Sequence, residues 1–176
     1  NEMEGELSML DLPKNFKLVI TGGGRVAGGA IEVLEKTNIK RVSPEDFLST
    51  NFGEPVYTQL DVEDYVKRDD GAFFDIPAFF KNPSGHSSNF MRYAAAADVY
   101  VACHYWDNRS PFIFSRDDVK NPDWNISLVA DVSCDIDGPV ATTLRPSTIA
   151  NPFYGYDAQS EEEVDFYKED CIGVMA

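Results

Sequence analysis

The chain has 176 residues, enough for one ordinary domain with a sizeable core. Thirty acidic residues against fifteen basic ones give a formal net charge of -15, a surface that repels phosphate backbones and anionic bilayers; nucleic acid and membrane are therefore set aside as partners. A hydrophobic fraction of 43% argues for a folded protein.

No run approaches the roughly 18 apolar residues of a membrane span. The opening Asn1-Glu2-Met3-Glu4-Gly5-Glu6 lacks the basic and apolar segments of a signal peptide. Cys103, Cys134 and Cys171 have no metal-type spacing and read as reduced thiols of a cytoplasmic protein. The sequons Asn108-Arg109-Ser110 and Asn125-Ile126-Ser127 then read as chance matches.

Residues 1–15 read as a lead-in and 16–176 as a single domain. The first predicted strand, Phe16 to Ile20, runs into Thr21-Gly22-Gly23-Gly24, after which Val26, Ala30, Ile31, Val33 and Leu34 recur at helical spacing. Ile39 to Val42 is a second strand. Ser43-Pro44-Glu45-Asp46 follows with a cap, a proline at the first helical position and acids in the first turn. Val56 to Leu60 is a third strand, and Asp61 caps a short helix. Residues 71–85 are aromatic-rich, broken by Pro77, and read as irregular or briefly helical, with His86 in a surface loop. A helix is expected over Ser88 to Ala97, then strands over Val99 to Cys103 and Ile126 to Val132. A Gly-, Pro- and Thr-rich stretch leads to Tyr156, an acidic helix to Ser160–Lys168, and a last strand to Ile172–Met175. Strands alternating with helices predict an α/β fold: a Rossmann-type doubly wound parallel sheet of about six strands, three-layer α/β/α, in the order 3-2-1-4-5-6.

The strongest local signal is Val19-Ile20-Thr21-Gly22-Gly23-Gly24-Arg25-Val26-Ala27-Gly28-Gly29-Ala30, which holds G-x-G-x-x-A as Gly22, Gly24 and Ala27 between a strand and a helix. Gly22 allows a tight turn, and Gly24 lets a pyrophosphate approach the backbone. A small residue at 27 or 28 lets the helix pack on the strand, and the helix N–H groups hold phosphate. A ribose-binding acid is expected at the end of the second strand, but Ser43 stands there, which leaves NADP open beside NAD. Thr21-Gly22 also suggests short-chain dehydrogenases, yet no tyrosine has the lysine four residues on that their acid–base pair needs.

Three later segments carry a family resemblance. Ala97 to Pro111, with Cys103-His104-Tyr105-Trp106, resembles the strand-four region of saccharopine dehydrogenases and lysine-ketoglutarate reductases. Val129 to Gly138 resembles their strand-five region, and Thr148 to Asp157 the stretch after it. The turn Gly24 to Ile31 resembles theirs as well. The resemblance implies the NAD(P)-binding domain of a two-domain amino-acid oxidoreductase of the alanine dehydrogenase and transhydrogenase type, catalysing reversible oxidative deamination. The acid–base lysine and histidine belong to a catalytic half absent from these residues, so the chain is expected to stop short of both ends of the enzyme and to be inactive alone.

By position, the resemblance places Gly24 and Arg25 at the cofactor's pyrophosphate, with Gly22 and Val26 of the same turn also expected to bind cofactor, and Ser43 where the ribose acid stands. It places Cys103 and Tyr105 beyond strand four, Val132 beyond strand five and Met175 beyond strand six. The amino-acid substrate would come through the catalytic half, and a homo-oligomer stays open. The rival is a dinucleotide-binding or regulatory module without chemistry of its own. His104 is the tempting catalytic histidine, but the resemblance puts none there and a wall role is expected. Asp131, Asp135 and Asp137 read as turn caps rather than metal ligands. Tyr105, Trp106 and Phe112 read as packing, and Glu161-Glu162-Glu163 as a solvated helix face.

Overall fold

The computed structural model describes residues 5–7 and 9–176; part of the lead-in, residues 1–4 and 8, lies outside them. Strand β1 (Lys17–Thr21) is buried on both faces, as befits the centre of a parallel sheet. It enters helix α1 (Arg25–Leu34) through the glycine turn. Strand β2 (Lys40–Arg41) and helix α2 (Pro44–Ser49) follow. Ser43 caps α2 by accepting from the Asp46 N–H at 3.1 Å, with Pro44 in the first turn, as the composition predicts. Strand β3 (Val56–Leu60) leads into helix α3 (Val62–Tyr65).

Between α3 and the next long strand lies an excursion that the sequence pattern does not reveal. Strand β4 (Val66–Arg68) pairs antiparallel with β5 (His86–Ser88), and helix α4 (Ile76–Lys81) sits inside the loop they close. Pro77 does not break α4. It lies in the first turn, behind an Asp75 side chain that accepts from the Ala78 N–H at 2.8 Å. His86 is no loop residue: it opens β5 with its ring edge-on to Phe74 and Phe79. The helix expected from Ser88 contracts to α5 (Met91–Ala94), because Ser88 is spent in β5.

Strand β6 (Val99–Ala102), helix α6 (Arg116–Val119) and strand β7 (Leu128–Asp131) come next, followed by β8 (Tyr154–Asp157), β9 (Glu162–Val164) and β10 (Ile172–Met175). The acidic helix is absent, and Ser160–Lys168 contains β9 instead. Glu161 takes φ 59°, which ends helical continuity, and β9 pairs antiparallel with β8. Glu161 and Glu163 are not simply solvated. Glu161 receives Arg116 and Lys120, and Glu163 receives Arg145.

The eight-stranded sheet runs β2-β3-β1-β6-β7-β10-β8-β9. Its first six strands are parallel, and β8 and β9 extend it antiparallel. The α/β, Rossmann-like class is as predicted. The order differs at one end, where β3 and not β2 neighbours β1. Lys40 and Arg41 are both exposed, which suits a sheet edge, whereas β3 is almost wholly buried and suits the interior.

Side chains alternate across β1. Leu18 and Ile20 pack with Ala27, Tyr57 and Cys103 under α1, while Val19 joins Phe47, Tyr65, Phe90, Tyr93 and Tyr100 on the other face. Burying a side chain such as Phe47 contributes on the order of 2–3 kcal/mol. Among the described residues no helix is long and apolar enough to cross a membrane.

Candidate functional site

The sheet reverses its winding between β1 and β6, and open α/β sheets place their ligand crevice at the carboxyl ends of such strands. Thr21 pairs with Leu60 on one side and Ala102 on the other, so Asp61 and Cys103 flank the glycine turn. The Gly22 N–H donates to the Leu60 carbonyl and the Cys103 N–H to that of Thr21, each at 3.0 Å. On the turn's outer side Gln59 Nε2 donates to the Gly22 carbonyl (2.8 Å), and Arg41 donates to Gln59 Oε1 (2.7 Å).

The glycines have distinct reasons. Gly22 has φ 113°, and a Cβ there would lie 2.5 Å from the Cys103 carbonyl oxygen. A Cβ on Gly23 would lie 2.5 Å from Asp61 Oδ1. Gly24 faces open space and lends α1 no side-chain cap. The first intrahelical bond runs from the Gly28 N–H to the Gly24 carbonyl (3.0 Å), so the N–H groups before it lack helical acceptors. Ala27 is fully buried under α1, which assigns the third small position to 27 and not 28.

In front of this turn opens a cleft of about 600 Å³. It brings together Gly22, Gly24, Arg25, Val26, Cys103 and Tyr105 of the residues expected from the sequence. Tyr105 stands at its mouth, 83% exposed, while Trp106 and Phe112 pack edge-on against each other. Ser43 is not among them: it caps α2 beside the edge strand, one strand further from β1 than expected. Val132 and Met175 follow or end β7 and β10 at the same sheet edge, 55% and 49% exposed, outside the cleft wall. Burial raises the Cys103 thiol to about 11, helped by the charge of Asp131, so it stays protonated at neutral pH.

Sequence reasoning misses the other half of the cleft. Asp61, at the end of the strand that does adjoin β1, lines it, as do Val62, Tyr65, Val66, Phe79 and Phe80. The signal for Asp61 is an acid directly after an apolar strand run; it caps α3 as expected, its N–H donating to the Asp64 carboxylate (2.9 Å), and the place of β3 beside β1 brings it to the cleft as well. His104 is buried in the same wall. Its Nδ1 lies 2.9 Å from Thr21 Oγ1, which lies 2.8 Å from the Tyr100 hydroxyl, and burial depresses the imidazole to about 4, so it is neutral. At the rim Arg109 grips Asp107 with two bonds of 2.8 Å, which lowers the Asp107 carboxyl to about 2.

The cap expected of Asp131 is present. Its carboxylate accepts from the Ser133 and Cys134 N–H groups (3.0 Å each) and the Thr143 hydroxyl (2.6 Å), and burial raises its pKa. All three cysteines are free thiols.

Fold and turn together define an α/β domain with a glycine-lined crevice at a topological switch point. No family model matches the chain. Alpha-aminoadipic semialdehyde synthase of Arabidopsis thaliana is 24% identical over 180 residues, which cover 90% of this chain and 17% of that protein. The mitochondrial alpha-aminoadipic semialdehyde synthases of Mus musculus and Rattus norvegicus are each 27% identical, over 89% and 87% of this chain and 20% and 19% of theirs. The chain thus spans about a fifth of the length of the curated relatives it matches.

Proposed function

We propose that this chain is the NAD-binding domain of an amino-acid oxidoreductase of the saccharopine dehydrogenase and lysine-ketoglutarate reductase kind, acting on CH–NH bonds. One observation carries the reading. The Gly22–Ala27 turn opens an uncapped helix at the switch point, with the Asp61 carboxylate packed against Gly23 at the edge of a cleft of suitable size. The similarity to alpha-aminoadipic semialdehyde synthases supports the choice of enzyme class.

The turn fits a diphosphate: Gly24 offers an approach with no side chain in the way, and the N–H groups at its helix end are donors without helical partners. Arg25, beside them, would add a positive charge to an otherwise acidic protein. Asp61 would accept from the ribose hydroxyls, and its charge would repel a 2′-phosphate, which favours NAD over NADP. Bound, the dinucleotide supplies hydride chemistry. The chain's own part is to hold and orient it and to keep water from the apolar side of the cleft. The exposed Val132 and Met175 lie where the reactive half would face a second domain carrying the acid–base groups and the amino acid. The domain alone would then bind without turning over.

Calorimetric titration with NAD, NADP and S-adenosylmethionine tests this. Tightest binding of NAD is expected. A preference for S-adenosylmethionine, or no binding of either dinucleotide, overturns it.

A further inference from the structure

The cleft contains one polar atom whose chemistry is unused. His104 is 7% exposed, and its Nε2, buried in the cleft wall, has no hydrogen-bond partner among the described residues. A buried unpaired nitrogen is costly unless something pairs with it. The hydroxyl chain behind the ring decides what that partner must offer. Tyr100 OH is fully buried, with Thr21 Oγ1 at 2.8 Å and His104 Nδ1 at 3.5 Å. The arrangement that leaves neither hydroxyl proton stranded has Tyr100 donating to Thr21 and Thr21 donating to Nδ1. The neutral ring then carries its proton on Nε2, a buried donor without a partner in a residue that lines the cleft.

The surroundings narrow the ligand group further. Tyr65, Val66, Phe79, Phe80 and Ile113 make the neighbouring wall apolar and largely aromatic, suited to a flat uncharged ring. Tyr65, Val66, Phe79 and Phe80 come from the chain that follows β3 and Asp61, and Ile113 from the loop after β6. If Asp61 takes the adenosine ribose, the ring beyond that ribose is the purine.

We infer that His104 reads the adenine of the bound dinucleotide, its Nε2–H donating to a ring nitrogen of a base seated among Tyr65, Val66, Phe79 and Phe80. The inference rests on the dinucleotide reading above. It gives the inserted β4–α4–β5 excursion a role, since that excursion supplies Phe79 and Phe80 and closes the base side of the cleft. Neutrality of the ring makes the contact independent of pH across the physiological range.

The test uses ADP-ribose and nicotinamide mononucleotide as separate probes on the full chain, with His104→Leu and His104→Gln. Calorimetry should show ADP-ribose and NAD weakened roughly tenfold by H104L, partial recovery in H104Q, whose amide can donate from a similar reach, and nicotinamide mononucleotide unaffected. In the unmutated, ¹⁵N-labelled protein, saturation with ADP-ribose should move the His104 Nε2 resonance, and nicotinamide mononucleotide should not. This second readout does not depend on a variant folding. Equal NAD affinity in H104L, an unmoved Nε2 resonance, or a loss shared by nicotinamide mononucleotide overturns the assignment while leaving dinucleotide binding intact. Failure of the unmutated chain to bind ADP-ribose or NAD removes both.

Discussion

Thr21 Oγ1 lies 2.9 Å from His104 Nδ1, joining the last residue of β1 to the loop that leaves β6. Both residues are buried, so this contact fixes the imidazole from behind and ties the two strands that frame the crevice. Replacing Thr21 by valine keeps the shape but leaves Nδ1 and the Tyr100 hydroxyl only their long mutual contact of 3.5 Å. Thr21→Val is expected to cost about 1–3 kcal/mol in urea unfolding, and the more conservative Tyr100→Phe about 1 kcal/mol. Because the three groups share one chain of bonds, the T21V/Y100F double variant should lose less than the sum of the two. Strict additivity would show that they are not coupled.

The glycines of the turn should separate into structural and ligand-facing positions. Gly22→Ala forces a side chain into φ 113° and against the Cys103 carbonyl, and should destabilise the fold by about 2–4 kcal/mol. A Cβ at position 24 meets no atom within 4 Å, so Gly24→Val should leave the unfolding midpoint nearly unchanged, while weakening NAD at least tenfold by blocking the approach to the helix amides. Denaturation midpoints and titrations of the two variants check this together.

Asp61 should set the choice of cofactor. Asp61→Ser keeps a helix-capping residue and removes the carboxylate. NADP affinity relative to NAD should rise by about tenfold or more, as expected when a like charge beside the 2′-phosphate is removed. Paired titrations measure the ratio, and an unchanged ratio would place the ribose elsewhere.

His104 also predicts a pH dependence of stability. Burial lowers it from 6.5 to about 4 in the folded chain, so the unfolded chain binds the proton more tightly and stability falls as pH drops through that window. Asp131 and Asp64, raised by burial, act in the opposite direction. The His104 share is therefore read as a difference: the stability of the parent minus that of His104→Gln should fall by on the order of 3 kcal/mol between about pH 7 and pH 4. A difference that stays flat would show that the imidazole is not held neutral.

How much of this is legible in the sequence varies with the range of the interaction responsible. The glycine turn is legible because its constraints are local: one strand, one bend, one helix. The α2 cap at Ser43 and the α4 start at Pro77 are local too, although Pro77 is easily mistaken for a breaker until Asp75 is recognised as the cap. The order of β2 and β3 is a matter of which strand can afford burial. The exposed pair Lys40-Arg41 against the buried run from Val56 to Leu60 holds that signal, and it brings Asp61 rather than Ser43 to the strand end beside β1. Strand β9 has no local signal, since Glu162 to Val164 become a strand only by pairing with β8. The aromatic wall of the cleft is equally long-range, because Phe79 and Phe80 reach it through a hairpin closed by residues some twenty positions apart.

The most direct measurement on the central claim is a titration of the ¹⁵N-labelled chain with NAD, followed by backbone amide resonances. Capture of the diphosphate by the α1 terminus predicts the largest shifts at Gly24, Arg25 and Val26, with saturation matching the calorimetric affinity. Shifts confined elsewhere, with those three amides unmoved at saturation, would contradict it.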